Sequence, residues 1–189
     1  MTRAFRTEPV PAELLDHLVD LASRAPSAGK AQGWHLVLLT GDDTARFWDV
    51  TLPPDERPRF AFPHLLDAPV IALPLADPQA YLDRYSEADK AASQLGESTV
   101  SWPAPYWTID TAMAVMTLLL AAEDVGLGTL FFGVFRGAAE LRASLGIPDD
   151  LQLLGAIALG YPADDDTRAG TSASRRRRPP DEIIHRGAW

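Results

Sequence analysis

The sequence predicts a mixed fold in which helices and short buried strands share one domain, residues 1–189. A chain of 189 residues is typical of a single domain. It buries roughly 70% of the surface that its unfolded form exposes. Apolar residues recur at helical spacing in two segments, and four short apolar runs are typical of strands.

Two helices are predicted from the spacing of their apolar residues. Pro11 suits the first turn of the first helix. The apolar face of that helix is formed by Leu14, Leu15, Leu18, Val19, Leu21 and Ala22. The second helix covers residues 108–125 and is apolar almost all round. We do not expect such a helix to be half exposed, so it either lies in the centre of the core or packs against a second copy of itself.

The first predicted strand, residues 34–39, is apolar and ends at Thr40 and Gly41. This pattern indicates a strand buried on both faces, with His35 as a core histidine. Similar strands are predicted at residues 70–73, 129–132 and 151–159, and the last of these ends at Gly160.

Composition excludes several classes of function. Seventeen basic and 26 acidic side chains give a net charge of −9, which disfavours nucleic acid and anionic lipid as partners. The chain has no cysteine, so it has neither disulfides nor a thiolate nucleophile. Its four histidines lack the spacing of metal ligands, and no metal site is predicted. A small molecule is the expected partner.

The sequence also predicts a cytoplasmic protein. No basic and then apolar signal segment follows Met1. The longest apolar run, residues 112–122, is well short of the roughly 20 residues that cross a bilayer. Scarce lysine beside abundant alanine and arginine indicates a GC-rich bacterial genome.

The loop between the first helix and the first strand, residues 24–35, carries the most specific motif. Taken by themselves, Pro26 and Gly29 would do no more than end the helix. The loop resembles the Ala-Pro-Ser-x-x-Asn-x-Gln-Pro-Trp signature of the nitroreductase family, with Lys30 in place of Asn and Gly33 in place of Pro. In that family the loop holds FMN. The resemblance therefore assigns cofactor contacts to Pro26, Ser27, Lys30 and Gln32.

Two further blocks carry the resemblance. Residues 120–133 are similar to the family's Leu-Ala-Ala-x-x-x-Gly-Leu-Gly region, where a backbone N–H after the strand approaches flavin N5. This similarity assigns cofactor contacts to Phe132 and to Gly133, whose missing side chain lets a flat ring come close. A plain turn glycine is the alternative at Gly133. Near the N-terminus, Arg3 and Phe5 match the family pattern, in which this arginine reaches the flavin.

Four arginines, residues 175–178, form a concentrated cationic group before Pro179. The chain has no glycine-rich phosphate loop, so side chains would have to hold a phosphate, and an arginine fork pairs well with one. A solvated basic loop is the alternative. The segment resembles the family's Lys/Arg-x-Arg before Pro, which binds the FMN phosphate. We assign this role to Arg175 and Arg177, because alternate residues of an extended segment point the same way.

An aromatic group that includes Trp102, Tyr106 and Trp107 precedes the second helix. A flat substrate could stack there, and we assign substrate contacts to these three residues. The alternative is that the cluster closes a core or an interface.

Together the blocks follow the family's order over nearly the whole chain. The resemblance implies an α+β fold with a central mixed, mainly antiparallel sheet flanked by helices, in an intertwined homodimer with FMN at the interface. It also implies ping-pong transfer of electron pairs from NAD(P)H through FMN N5 to a small acceptor such as a nitroaromatic or quinone. Since the cofactor carries this chemistry, no catalytic side chain is predicted.

Two alternatives remain open. One is a specialised relative: a flavin-fragmenting benzimidazole synthase, a dehalogenase or a deazaflavin-linked reductase. The other is a non-catalytic flavin-binding protein.

Overall fold

The computed structural model describes residues 1–164 and 174–189. Short 3-10 turns connect its helices and strands. In chain order these are α1 (Ala12–Ala22), β1 (Trp34–Thr40), α2 (Thr44–Thr51), β2 (Val70–Ala76), α3 (Pro78–Ser86), α4 (Tyr106–Asp124), β3 (Gly128–Phe132), α5 (Ala138–Leu145), β4 (Gln152–Leu153) and β5 (Ala156–Gly160).

The strands form one sheet in the order β1-β2-β5-β3, and β4 pairs with the end of β2. Every pairing among these strands is antiparallel. The predicted fourth strand is split into β4 and β5, and Gly155 between them has a φ of 153°. The α+β class and the mainly antiparallel sheet are confirmed.

Strand β2 is the centre of the core, because all its residues are buried. Its side chains alternate between the two faces of the sheet. Val70 and Ala72 face α1 and α4, whereas Ile71 and Leu73 face the side covered by α2 and α5. The sheet is therefore sandwiched between two pairs of helices.

Strand β1 corrects one prediction. The sequence predicts burial on both faces, but only Leu39 of this strand is buried. The reason is its position: β1 lies at the edge of the sheet and pairs with β2 alone. His35 is likewise exposed rather than in the core, and its Nε2 lies 3.7 Å from Asp77 Oδ2.

Helix α4 confirms the predicted apolar helix, but only one of its sides is covered within the chain. Val115, Leu118 and Ala122 pack against the sheet and α1. On the opposite side, Ile109, Met116 and Leu120 are 40%, 50% and 59% exposed. A large part of the apolar surface of α4 thus faces outward.

None of the helices in the described residues has the length and apolar character that a membrane crossing requires. Within residues 1–164 and 174–189, no group of three or more His, Asp or Glu side chains is arranged to hold a metal ion.

Candidate cofactor site

The loop before β1 has an unusual backbone. Ser27 is extended, and a 3-10 turn follows at Ala28–Lys30. Gly29, Lys30 and Gln32 all have positive φ angles, of 60°, 58° and 52°. Residues with a side chain rarely adopt this conformation, and each instance costs on the order of 1–3 kcal/mol. Surrounding contacts must therefore hold the loop.

Three hydrogen bonds that involve side chains hold it, in addition to those within its own backbone. Gln32 N–H donates to Ser27 Oγ across the turn, at 3.1 Å. Ala28 N–H donates to Asp110 Oδ2 of α4, at 2.7 Å. Arg84 Nε of α3 donates to the carbonyl oxygen of Gly29, at 2.8 Å.

The predicted loop residues are gathered in one short stretch. Pro26, Lys30 and Gln32 are exposed, and Ser27 is half-buried with its hydroxyl used inside the loop. The ammonium group and the amide can therefore be reached by a ligand on the outer side of the turn.

Gly33 is buried behind this loop. A Cβ at this position would lie 2.8 Å from the backbone oxygen of Asp77 and 2.8 Å from the Tyr81 ring. Proline, which the family signature has here, also carries a Cβ. The close approach of the chain after β2 thus accounts for glycine in place of proline.

Phe132 and Gly133 lie at the same end of the sheet as the loop, because the end of β3 and the start of β1 point to one side. They are at the opposite edge, three strand spacings or roughly 14 Å away. The Phe132 ring stacks on Trp48 with centroids 6.1 Å apart. Over Gly133 lies Phe135, whose ring is 2.6 Å from where a Cβ would be and is otherwise almost fully exposed.

Arg3 does not lie at this end of the sheet. Arg3 lies over the Phe62 ring, 5.4 Å from its centroid. The preceding residue, Thr2, donates its N–H to Thr129 O at the opposite end of β3. Arg175 and Arg177 are exposed in the C-terminal segment. One chain therefore presents the loop, Gly133 and Arg3 in separate places.

Trp102 is the centre of an aromatic cluster. It is buried, its indole N–H donates to Leu95 O at 2.8 Å, and its ring contacts Tyr85 and Tyr106 at centroid distances of 4.6 and 5.5 Å. Trp107 joins the cluster and, like Tyr106, is only partly buried. Trp102 thus closes a small core beneath the two rings that a substrate could reach.

Sequence reasoning missed Tyr81 and the role of Asp110. The Tyr81 hydroxyl donates to Asp110 Oδ2 at 2.7 Å, and the two residues are 1% and 6% exposed. Burial, together with this hydrogen bond, raises the pKa of Tyr81 above its ordinary value. The one sequence signal was a carboxylate within an apolar helix, which needs a hydrogen-bonding partner when it is buried.

Comparisons with known proteins agree with the family pattern. A model described as the nitroreductase family matches residues 1–161. A Thermus thermophilus protein named NADH dehydrogenase is 30% identical over 177 residues, which cover 86% of this chain and 82% of the relative.

Two solved structures share the fold. One, described as an oxidoreductase containing FMN, is 20% identical with a TM-score of 0.74 and covers 100% of this chain and 87% of its own. The other, a nitroreductase family protein from Streptococcus pneumoniae, is 20% identical with a TM-score of 0.73 and covers 97% of this chain and 94% of its own. The match over residues 1–161 shows that the chain belongs to the nitroreductase family, as its motifs predicted.

Proposed function

We propose that this protein is an FMN-dependent oxidoreductase that passes electron pairs from NAD(P)H to a small acceptor such as a nitroaromatic or quinone. Membership of the nitroreductase family supports this proposal. The name of the Thermus relative supports a reduced nicotinamide as the donor, and the solved oxidoreductase that contains FMN supports this cofactor.

The loop backbone is the observation that carries the proposal. Positive φ angles at Gly29, Lys30 and Gln32 keep two polar side chains on the outer side of a turn that other elements hold in place. Strained backbone that the surroundings maintain is typical of ligand-binding sites. Lys30 and Gln32 offer N–H donors that suit the carbonyl oxygens and ring nitrogens of a flavin.

When bound, FMN supplies the two-electron chemistry at its N5 atom. The chain's own residues bind and orient it. The Lys30 ammonium would stabilise negative charge on the flavin beside the loop. The backbone N–H of Gly133 would be a further donor, because glycine has no side chain of its own to shield it. Arg175 and Arg177 would bind the phosphate, with Arg3 as a further cation. Pro26 and Ser27 shape the loop, and Phe132 contributes backbone.

We further propose that the active protein is a homodimer. Within one chain the loop, Gly133 and Arg3 are separate, so a site that uses all of them would draw residues from two chains. The outward apolar residues of α4, Ile109, Met116 and Leu120, supply a surface for the second copy.

The acceptor would contact the aromatic cluster. Tyr106 and Trp107 are partly exposed at the start of α4, close to Asp110 and the loop that it contacts. Trp102 supports them from beneath through its ring contacts and its bond to Leu95. An aromatic wall of this kind suits a flat acceptor.

Steady-state kinetics of the FMN-loaded protein test this function. We expect NAD(P)H consumption that depends on an added nitroaromatic or quinone, with the parallel double-reciprocal lines of a ping-pong mechanism. Protein without FMN is the control. Tight FMN binding without acceptor-dependent consumption would contradict the proposal and favour a non-catalytic flavin-binding protein.

A further inference from the structure

We propose that Asp110 is a positioning residue that fixes the cofactor loop from α4, with Arg84 as its counterpart on α3. The inference rests on the proposed function in one respect, namely that FMN is the ligand of the loop. The loop contacts themselves are independent of any ligand.

Asp110 makes two short contacts through one oxygen. Its Oδ2 accepts hydrogen bonds from Ala28 N–H and from the Tyr81 hydroxyl, both at 2.7 Å. Ala28 is 82 residues away in the sequence, so the contact ties the loop to a distant helix. Neither donor is charged. A buried carboxylate is costly unless it is hydrogen-bonded, and these donors offset that cost.

Arg84 holds the other side of the same turn. Its Nε donates to Gly29 O at 2.8 Å, and its two terminal nitrogens each bind Asp89 at 2.8 Å. The Tyr85 ring lies directly against Gly29, 2.9 Å from where a Cβ would be. The peptide group between Ala28 and Gly29 is thus flanked by an N–H held by one helix and a carbonyl held by another.

These contacts at Ala28 and Gly29 account for the backbone conformation of the residues that follow. Lys30 and Gln32 keep positive φ angles that a free loop would leave. Once the turn is fixed at Ala28 and Gly29, the backbone directs both side chains to its outer side. Asp110 therefore acts on the ligand through Lys30 and Gln32, without touching the ligand itself.

Two variants remove the contact from opposite ends. Asp110→Leu keeps the approximate size of the side chain but has no atom that accepts a hydrogen bond. Ala28→Pro removes the donor. A proline fits there because Ser27 is already extended and Ala28 is the first residue of the turn.

We expect each substitution to weaken FMN binding at least tenfold in a fluorescence-quenching titration. The double variant should bind FMN no worse than the single variant with the lower affinity, since both substitutions remove the same hydrogen bond. Leu141→Ala is the control, because it destabilises the core on the α5 side without reaching the loop. Its FMN affinity should not change. Unchanged affinity in both single variants, or fully additive losses, would overturn the inference.

Hydrogen exchange of the protein without FMN gives a second readout. The amides of Ala28 and Gln32 should be protected in the wild type, and Asp110→Leu should accelerate their exchange at least tenfold while the β2 amides stay protected. Tyr81→Phe is a milder variant that leaves the Ala28 contact and its protection in place. Equal exchange of the Ala28 amide in the wild type and in Asp110→Leu would overturn the inference. Failure of the wild type to bind FMN would overturn the proposed function, and the Ala28 amide would still decide whether Asp110 fixes the turn.

Discussion

The loop shows which residues of a site a sequence motif can identify and which it cannot. The signature identified Ser27, Lys30 and Gln32, and the structure places them in one turn. It did not identify the groups that hold the turn, because Asp110 and Tyr81 are 29 residues apart and meet only in the folded chain. Local sequence predicts the site residues, whereas the supporting residues follow from tertiary packing.

Tyr81 predicts a specific dependence of stability on pH. Its pKa is raised by burial and by Asp110, so above pH 10 it stays protonated in the folded chain while it ionises in the unfolded one. Stability from this group is complete below about pH 10 and is lost as the pH rises, by up to about 1.4 kcal/mol per pH unit. We expect Tyr81→Phe to show a shallower alkaline decline of the free energy of unfolding, measured with urea at several pH values. Identical slopes would contradict this assignment.

Gly33 predicts a local packing cost. An alanine there would place its Cβ 2.8 Å from the backbone oxygen of Asp77, which cannot move aside as a side chain could. We expect Gly33→Ala to lower the free energy of unfolding by about 1–3 kcal/mol in denaturant titration. Gly126→Ala is an informative contrast. It has a positive φ but open space around it, so its cost reflects backbone strain alone.

At the scale of elements, composition predicted the type of each segment, helix or strand, more accurately than its position in the fold. β1 and β2 are both apolar, yet β2 is buried throughout and β1 is an edge strand. Burial depends on the place of a strand in the sheet and on how far helices cover its faces, and a single segment encodes neither. In the same way, the apolar circumference of α4 predicted a covered helix, while one chain covers only one side.

The outward side of α4 predicts how the protein associates. Leu120→Glu would place a charge in the proposed interface, and we expect the dimer dissociation constant to rise roughly 30-fold or more, about 2 kcal/mol. Glu140→Gln, an exposed change on α5 at the other face of the sheet, should leave association unchanged. Light scattering during size exclusion measures both variants. A wild-type protein that is monomeric at high concentration would contradict the dimer.

At the scale of the whole molecule, the order of motifs predicted the family and the α+β fold. Their arrangement in space did not follow from that order. The loop and Gly133 share one end of the sheet at opposite edges, whereas Arg3 lies near the other end. Only the antiparallel pairing decides which ends meet. This separation is the physical reason for proposing that two chains complete each site.

FMN titration of the purified protein tests the central claim most directly. We expect quenching of flavin fluorescence to saturate near one FMN per chain, and Arg175→Ala with Arg177→Ala to weaken binding at least tenfold through the loss of charged phosphate contacts. Arg46→Ala is the matched control, since Arg46 binds Ser144 O on the α2 side. Absence of saturable FMN binding by the wild type would contradict the account.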